Sequence, residues 1–209
     1  MVSRAFITVG IGAAVAGSAY LAYKFLCQDE GETIGNDKEE SRSKRILVLG
    51  LDNSGKSTII HGLSAKKKGE TFVSKPTEGF NIVCIEDSMN FWEVGGSPKY
   101  RTYWPKFLDN AHDLALLIYV IDSADSSRMS ESSDALQMVL AHENMKNVPL
   151  LLCANKQDLQ HSKPFDYIIK EFGLLNEDRK VTGVDTAVPR DSDKQVGIDD
   201  LKERINCFL

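Results

Sequence analysis

Gly50-Leu51-Asp52-Asn53-Ser54-Gly55-Lys56-Ser57 follows the apolar run Ile46-Leu47-Val48-Leu49 and leads into a helical pattern from Lys56 to Ala65. The spacing is GxxxxGK[ST], in the strand-then-helix setting that a phosphate cradle requires. Glycine lets the backbone bend until successive N–H groups, here of Asp52, Asn53, Ser54 and Gly55, face phosphate oxygens. Lys56 adds a point charge for the β- and γ-phosphates, and the Ser57 hydroxyl can coordinate magnesium. The helix N-terminus, with Thr58 in its first turn, adds a partial positive charge.

Downstream, Asn155-Lys156-Gln157-Asp158 directly follows the apolar run Val148 to Ala154. A carboxylate at Asp158 can accept hydrogens from N1 and the 2-amino group of guanine. Adenine offers neither donor, so this residue selects GTP over ATP. Between the two motifs lies Trp92-Glu93-Val94-Gly95-Gly96, again at the end of a strand pattern. Glu93 can hold a magnesium-bound water there, and the Gly96 N–H can meet the γ-phosphate. Thr77, in Lys75-Pro76-Thr77-Glu78-Gly79-Phe80, precedes the next strand and could add its hydroxyl to the magnesium when GTP is bound.

The remaining chain alternates short β-rich runs with helical stretches. Strands are predicted at Ile46 to Gly50, Phe80 to Glu86, Met89 to Val94, Leu114 to Ile121 and Val148 to Ala154, with a tight Asp87-Ser88 turn. Helices are predicted at Lys56 to Ala65, Ser126 to Glu143, Pro164 to Phe172 and Gly197 to Phe208. That alternation predicts an α/β domain with a doubly wound, mostly parallel sheet. The continuous apolar runs read as central strands covered on both faces.

Ahead of this body, residues 5 to 26 carry a single charge, Lys24. Twenty-two helical residues would rise about 33 Å, enough to cross a hydrocarbon core. A membrane span with a cytosolic body is therefore expected, against a cleaved signal peptide or a buried helix. Gly10 with Ala14, Gly12 with Ala16 and Ala13 with Gly17 form small-xxx-small pairs on which two such spans could meet. Residues 28 to 45 hold ten charged side chains in eighteen, which predicts a flexible tether. The organisation is thus anchor 1–27, tether 28–45 and body 46–209.

The net charge is −5, from 25 basic and 30 acidic residues, which offers no footing for nucleic acid. Lys66-Lys67-Lys68 reads as a solvated helix end. Cys27, Cys84, Cys153 and Cys207 are scattered without metal-ligand spacing, and Cys84 and Cys153 are expected to be buried. Cys27 is open to palmitoylation. Cys207 stands one place short of a prenylation box, and Val2 excludes N-myristoylation.

Through GLDNSGKST, PTEGFN, WEVGGS, RTYW, VIDSAD and NKQD, residues 46 to 209 resemble a small GTPase of the ADP-ribosylation factor-like family. The membrane segment and the GGS triplet resemble the family's divergent ninth and tenth members more than its myristoylated founders. The resemblance implies a P-loop small GTPase fold with six strands and helices on both faces, binding GTP or GDP with Mg2+. It also implies an effector, an exchange factor and an activating protein as partners. Phe80, Trp92 and Phe107 fall where the family carries an exposed aromatic triad for effectors. Thr186-Ala187-Val188 matches its guanine loop, with the Ala187 N–H facing the base oxygen.

The chain departs from the family in three places. Ser97 stands where a glutamine usually orients the attacking water. Glu93 replaces the usual aspartate. The stretch from Phe80 to Trp92 is shorter, which bears on the hairpin movement that the family uses as a switch. The expected function is a membrane-tethered GTP-binding switch with slow or activator-dependent hydrolysis. The alternative is a non-hydrolysing, GTP-bound membrane receptor or scaffold. The expected location is the mitochondrial outer membrane or the endoplasmic reticulum.

Overall fold

Alternate residues ahead of the phosphate-loop sequence face opposite sides of a sheet: Ile46 and Val48 one way, Leu47 and Leu49 the other, all four buried. The computed structural model describes residues 7–10, 44–64, 75–86, 89–176, 179–189 and 195–209. Its strands are β1 (Ile7–Gly10), β2 (Lys44–Leu49), β3 (Gly79–Ile85), β4 (Met89–Val94), β5 (Leu114–Asp122), β6 (Leu150–Asn155) and β7 (Val181–Asp185). Its α-helices are α1 (Lys56–Ser64), α2 (Pro98–Arg101), α3 (Trp104–Asp109), α4 (Met129–Leu140), α5 (Phe165–Glu171) and α6 (Ile198–Asn206). The sheet order is β1-β3-β4-β2-β5-β6-β7. β4, β2, β5, β6 and β7 run parallel, while the hairpin partner β3 and the edge strand β1 pair antiparallel.

Parallel neighbours need crossovers, and the helices that supply them close the two faces of the sheet. Trp104 and Leu108 of α3, Leu136 and Val139 of α4, and Ile168 of α5 pack with Leu47, Leu117, Tyr119 and Leu152 on one side. Ile59 and Leu63 of α1 with Leu201 and Ile205 of α6 cover Ile46, Val48, Leu116 and Ile118 on the other. The continuous apolar runs at β5 and β6 are the central strands expected from their composition.

The differences from expectation have physical causes. The expected apolar helix over 5–26 does not hold at its start, because Ile7–Gly10 is an edge strand in register with Gly79–Ile82. Its Ile-Thr-Val sequence is rich in β-branched residues, which favour a strand wherever an open edge offers hydrogen bonds. Residues 11–26 and most of the expected tether lie outside the described residues, as do residues 66–68 and the Asp87-Ser88 turn. Among the described residues no helix is long and apolar enough to cross a membrane.

Lys44 and Arg45, assigned to the tether, are the first rungs of β2, where Arg45 pairs with Asp113 and lies over the Trp92 ring. The helix expected over Ser126 to Glu143 is α4 flanked by 3-10 turns at Ser126–Arg128 and Glu143–Met145. α2, α3 and β7 carried too few residues for periodicity to reveal. Cys153 is buried as expected, and burial pushes its thiol pKa up. Cys84 is exposed instead, because it faces outward on β3 between the inward-facing Val83 and Ile85.

Candidate functional site

β2 has β4 on one side and β5 on the other, so the chain winds away from it in opposite directions. In a doubly wound sheet, ligands settle in the crevice beyond the carboxyl ends of the strands at such a point. The loops that follow β2, β4, β6 and β7 all begin at those ends. Gly50 has φ +144° and a Cβ there would lie 2.2 Å from the Val120 carbonyl oxygen, so no side chain fits. Gly55 has φ +97°, and its missing Cβ makes room for Asn155 Nδ2.

That approach is used. Asn155 Nδ2 donates to the Ser54 carbonyl at 2.8 Å, while Thr186 Oγ1 donates to Asn155 Oδ1 at 3.1 Å. Asn155 thus ties the phosphate loop to the loops after β6 and β7. Arg128, a residue the motifs did not mark, donates to Asp52 Oδ1 and to the Asp52 carbonyl.

Lys56 is buried at the first position of α1. Its ammonium donates to the carbonyls of Gly50 at 3.0 Å and Leu51 at 2.8 Å. Burial pushes its pKa down to about 8, with Glu93 and Asp52 pulling it back up. A cation held this way, short of counter-charge, gains from an arriving polyanion.

Ser57, Thr77 and Glu93 come from α1, the loop before β3 and the end of β4, and they meet in one corner. Ser57 Oγ donates to Glu93 Oε1 at 2.5 Å, Thr77 Oγ1 donates to the same oxygen at 2.8 Å, and the two hydroxyls lie 3.2 Å apart. Two hydroxyls and a buried carboxylate are hard oxygen donors that suit Mg2+. Among the described residues no group of three or more His, Cys, Asp or Glu could hold a metal. The ion would therefore depend on phosphate oxygens as well, as Mg2+ usually does.

Next to this corner, Gly95 donates to the Gly79 carbonyl at 2.8 Å and accepts from the Trp104 indole at 3.0 Å. Gly96 lies directly on the phosphate loop: a Cβ on it would sit 2.2 to 2.5 Å from Gly50 O, Leu51 C and Asp52 N. A Cβ on Gly95 would meet the Thr77 carbonyl at 2.7 Å. The segments around Thr77 and Gly96 are closed on each other and on the loop.

At the other end of the crevice, Asp158 is exposed in the turn after β6. The turn is held by Lys156, paired with Asp122 at 2.7 Å, and by Gln157 Nε2, which donates to the Ser123 hydroxyl and the Lys163 carbonyl. Thr58 is half-buried in the first turn of α1. The assignment of the Ala187 N–H to the base is corrected. It donates to the Val196 carbonyl at 3.0 Å, in a two-way bridge that closes the loop. Val188 offers the first amide beyond the bridge, one residue later than the sequence reading placed it.

The aromatic triad is also corrected. Phe80 and Trp92 are 6% and 9% exposed, and Phe107 is half-buried against them. Phe80 stacks on Trp92 with ring centroids 6.5 Å apart and meets Phe107 edge-on at 5.6 Å. The rings cover one another and Arg45 covers Trp92, so they form part of the core and not an open surface. Ser97 caps the start of α2 without a side-chain hydrogen bond.

Comparison with known proteins bears on this arrangement. Residues 31–205 match the model of the ADP-ribosylation factor family. The chain is 44% identical over 142 residues to ADP-ribosylation factor-like protein 3 of Chlamydomonas reinhardtii, covering 66% of this chain and 77% of that protein. It is 40% identical over 147 residues to human ADP-ribosylation factor-like protein 9, covering 68% and 75%. Among solved structures, it superposes on the Arl6 small GTPase of Trypanosoma brucei, determined with bound nucleotide analogue GppNp. There the TM-score is 0.61 and the identity 25%, over 80% of this chain and 99% of the other.

Proposed function

The chain belongs to the ADP-ribosylation factor family of small GTPases, which are GTP-binding switches, and from that premise we propose a slow-hydrolysing switch that closes around Mg2+ and GTP. The observation that carries this reading is the meeting of Ser57, Thr77 and Glu93 while Gly96 lies on the phosphate loop. A γ-phosphate is the natural bond between two such segments, and its loss lets them part. When bound, magnesium would supply charge neutralisation between the phosphates. Ser57, Thr77 and Glu93 would hold it, and Lys56 with the loop amides would hold the phosphates.

Hydrolysis is the weak point. Ser97 stops well short of where a glutamine amide reaches, and it cannot offer a carbonyl and an N–H to one water. The expected result is guanine nucleotide in the freshly purified protein, with slow single-turnover phosphate release. Ser97→Gln should speed that release by at least about tenfold. Absence of guanine nucleotide would sink the reading. A preparation holding only GTP, with no release from either form or with any activator, would favour the second reading. That second reading is a GTP-bound receptor or scaffold, and Ser97 is the observation that supports it.

Gly96→Ala tests the closure itself. Its methyl would overlap three backbone atoms of the phosphate loop, none of which can swing aside as a side chain would. With a non-hydrolysable GTP analogue, hydrogen exchange around Thr77 and Gly95 should rise about tenfold or more, to the level of the GDP form. Native-like protection would argue against the closed arrangement.

We also propose that the apolar segment 5–26, once released from the edge of β3, anchors the chain, with the body on the cytosolic side of the mitochondrial outer membrane or the endoplasmic reticulum. A span needs about 20 helical residues, so anchoring and the pairing of Ile7–Gly10 with β3 exclude each other. A C-terminal fluorescent tag should mark the membrane with residues 1–27 present and the cytosol without them. Unchanged distribution would remove the anchor from the reading.

A further inference from the structure

We propose that Arg128 sets the preference of the crevice between GTP and GDP, by countering the charge of Asp52 inside the phosphate loop. This rests on the reading of the crevice as a guanine-nucleotide site and names a residue outside the motifs that tunes it.

A carboxylate is at odds with a loop built to hold anions. Asp52 lies between Gly50 and Gly55, in a run whose amides are aimed at phosphate oxygens. Its place is at the γ-phosphate end. A Cβ on Gly96 would sit 2.5 Å from the Asp52 nitrogen, and on that reading Gly96 faces the γ-phosphate. Burial lowers the Lys56 pKa while Glu93 and Asp52 draw it back up, so the Asp52 charge is felt by the cation that serves the phosphates. An uncountered carboxylate there would repel the additional charge that GTP carries over GDP.

Arg128 meets that charge. It ends the 3-10 turn Ser126–Arg128, which follows β5 and leads into α4. Its Nη1 donates to Asp52 Oδ1 at 3.2 Å and its Nη2 to the Asp52 carbonyl at 3.3 Å. Its Nε donates to Asp125 Oδ2 at 2.7 Å, and Asp125 Oδ1 accepts from the Ser127 hydroxyl at 2.6 Å. The Ser127 and Arg128 bonds hold the Asp125 carboxyl below its usual pKa, so it stays ionised and fixes the guanidinium. A planar fork held at Nε has both terminal nitrogens aimed in advance, which a lysine ammonium would not provide. The Arg128–Asp52 pair is partly exposed, so it adds little to the stability of the fold. Its consequence is local, because the γ end of the loop meets the nucleotide without an uncountered negative charge.

Nucleotide preference is the test. Affinities for GDP and for a non-hydrolysable GTP analogue are measured side by side on the full chain with Mg2+. Arg128→Gln keeps hydrogen-bond donors and loses the charge. It should weaken the analogue by about tenfold relative to GDP. Adding Asp52→Asn to that variant should bring the ratio back to within about threefold of native. Asp52→Asn alone should raise the analogue's advantage by about threefold or more, since a negative charge goes while Arg128 stays. Equal losses for both nucleotides in Arg128→Gln would overturn the inference, because Arg128 would then only hold the loop through the Asp52 carbonyl. A selective loss that Asp52→Asn leaves unrepaired would overturn it too, as would an unchanged ratio in Arg128→Gln. An unchanged ratio in Asp52→Asn alone decides against it even if the Arg128 variant folds poorly. Native protein that binds neither nucleotide would instead remove the reading of the crevice, and the inference with it.

Discussion

Lys56→Met should weaken guanine-nucleotide binding by about a thousandfold or more, while the nucleotide-free domain keeps its melting temperature within a few degrees. The first half follows from charge. Lys56 is the buried cation of the loop, and contacts between charged groups out of water contribute about 1.5–3 kcal/mol each. Losing contacts to two phosphates costs about 4 kcal/mol, which is three decades in affinity.

The second half follows from what the lysine does without a ligand. An ammonium whose pKa falls from 10.5 to about 8 on folding binds its proton more weakly in the folded chain. Keeping it charged at neutral pH therefore costs folding free energy, on the order of 3 kcal/mol. Methionine removes that cost and fills nearly the same volume. It also forfeits the hydrogen bonds to Gly50 and Leu51, each contributing about 1 to 3 kcal/mol. The two effects oppose each other and nearly cancel. Fluorescent-nucleotide titration measures the first, and thermal melts with and without nucleotide measure the second. Affinity within tenfold of native would show that the phosphates lie elsewhere.

The site was legible in the sequence where chemistry depends on residue type at short spacing. The phosphate loop needs glycine at Gly50 and Gly55 because neither position has room for a Cβ, and this constraint shows in eight consecutive residues. The central strands were legible for a similar reason: burial on both faces removes the alternation and leaves plain apolar runs at β5 and β6. What was not legible depends on pairings distant in sequence. Ala187 loses its amide to Val196, and nothing local in Thr186-Ala187-Val188 announces that partner. The triad residues are exposed or covered according to how β3, β4 and α3 pack. The strand at Ile7–Gly10 shares its composition with an apolar helix and differs only because the edge of β3 offers it hydrogen bonds. Arg128 and Trp104 position the loop and Gly95 from well outside the motifs they serve. Position in the fold, and not residue type, gives them that role.

Asp158→Asn should lower affinity for guanine nucleotides by about a hundred- to ten-thousandfold, and should restore it for the matching xanthine nucleotide. Two hydrogen bonds from the base to an ionised carboxylate contribute about 3–6 kcal/mol together. Asparagine keeps one acceptor but turns an N–H2 toward the 2-amino group, so one pair is lost and donor faces donor. Xanthine carries a carbonyl at that place, which the amide can satisfy. The variant isolates base recognition because Asp158 is exposed, and the turn that presents it is held by other residues. Asn155 bonds Ser54, Lys156 pairs with Asp122, and Gln157 bonds the Lys163 carbonyl. The fold should therefore tolerate the change, with a melting temperature without nucleotide close to native. A loss of guanine binding without a gain for xanthine would mean that the carboxylate acts by holding the loop. Unchanged guanine affinity would mean that the base does not reach Asp158 at all. In that case the amide beyond the Ala187–Val196 bridge would be left as the determinant of base choice.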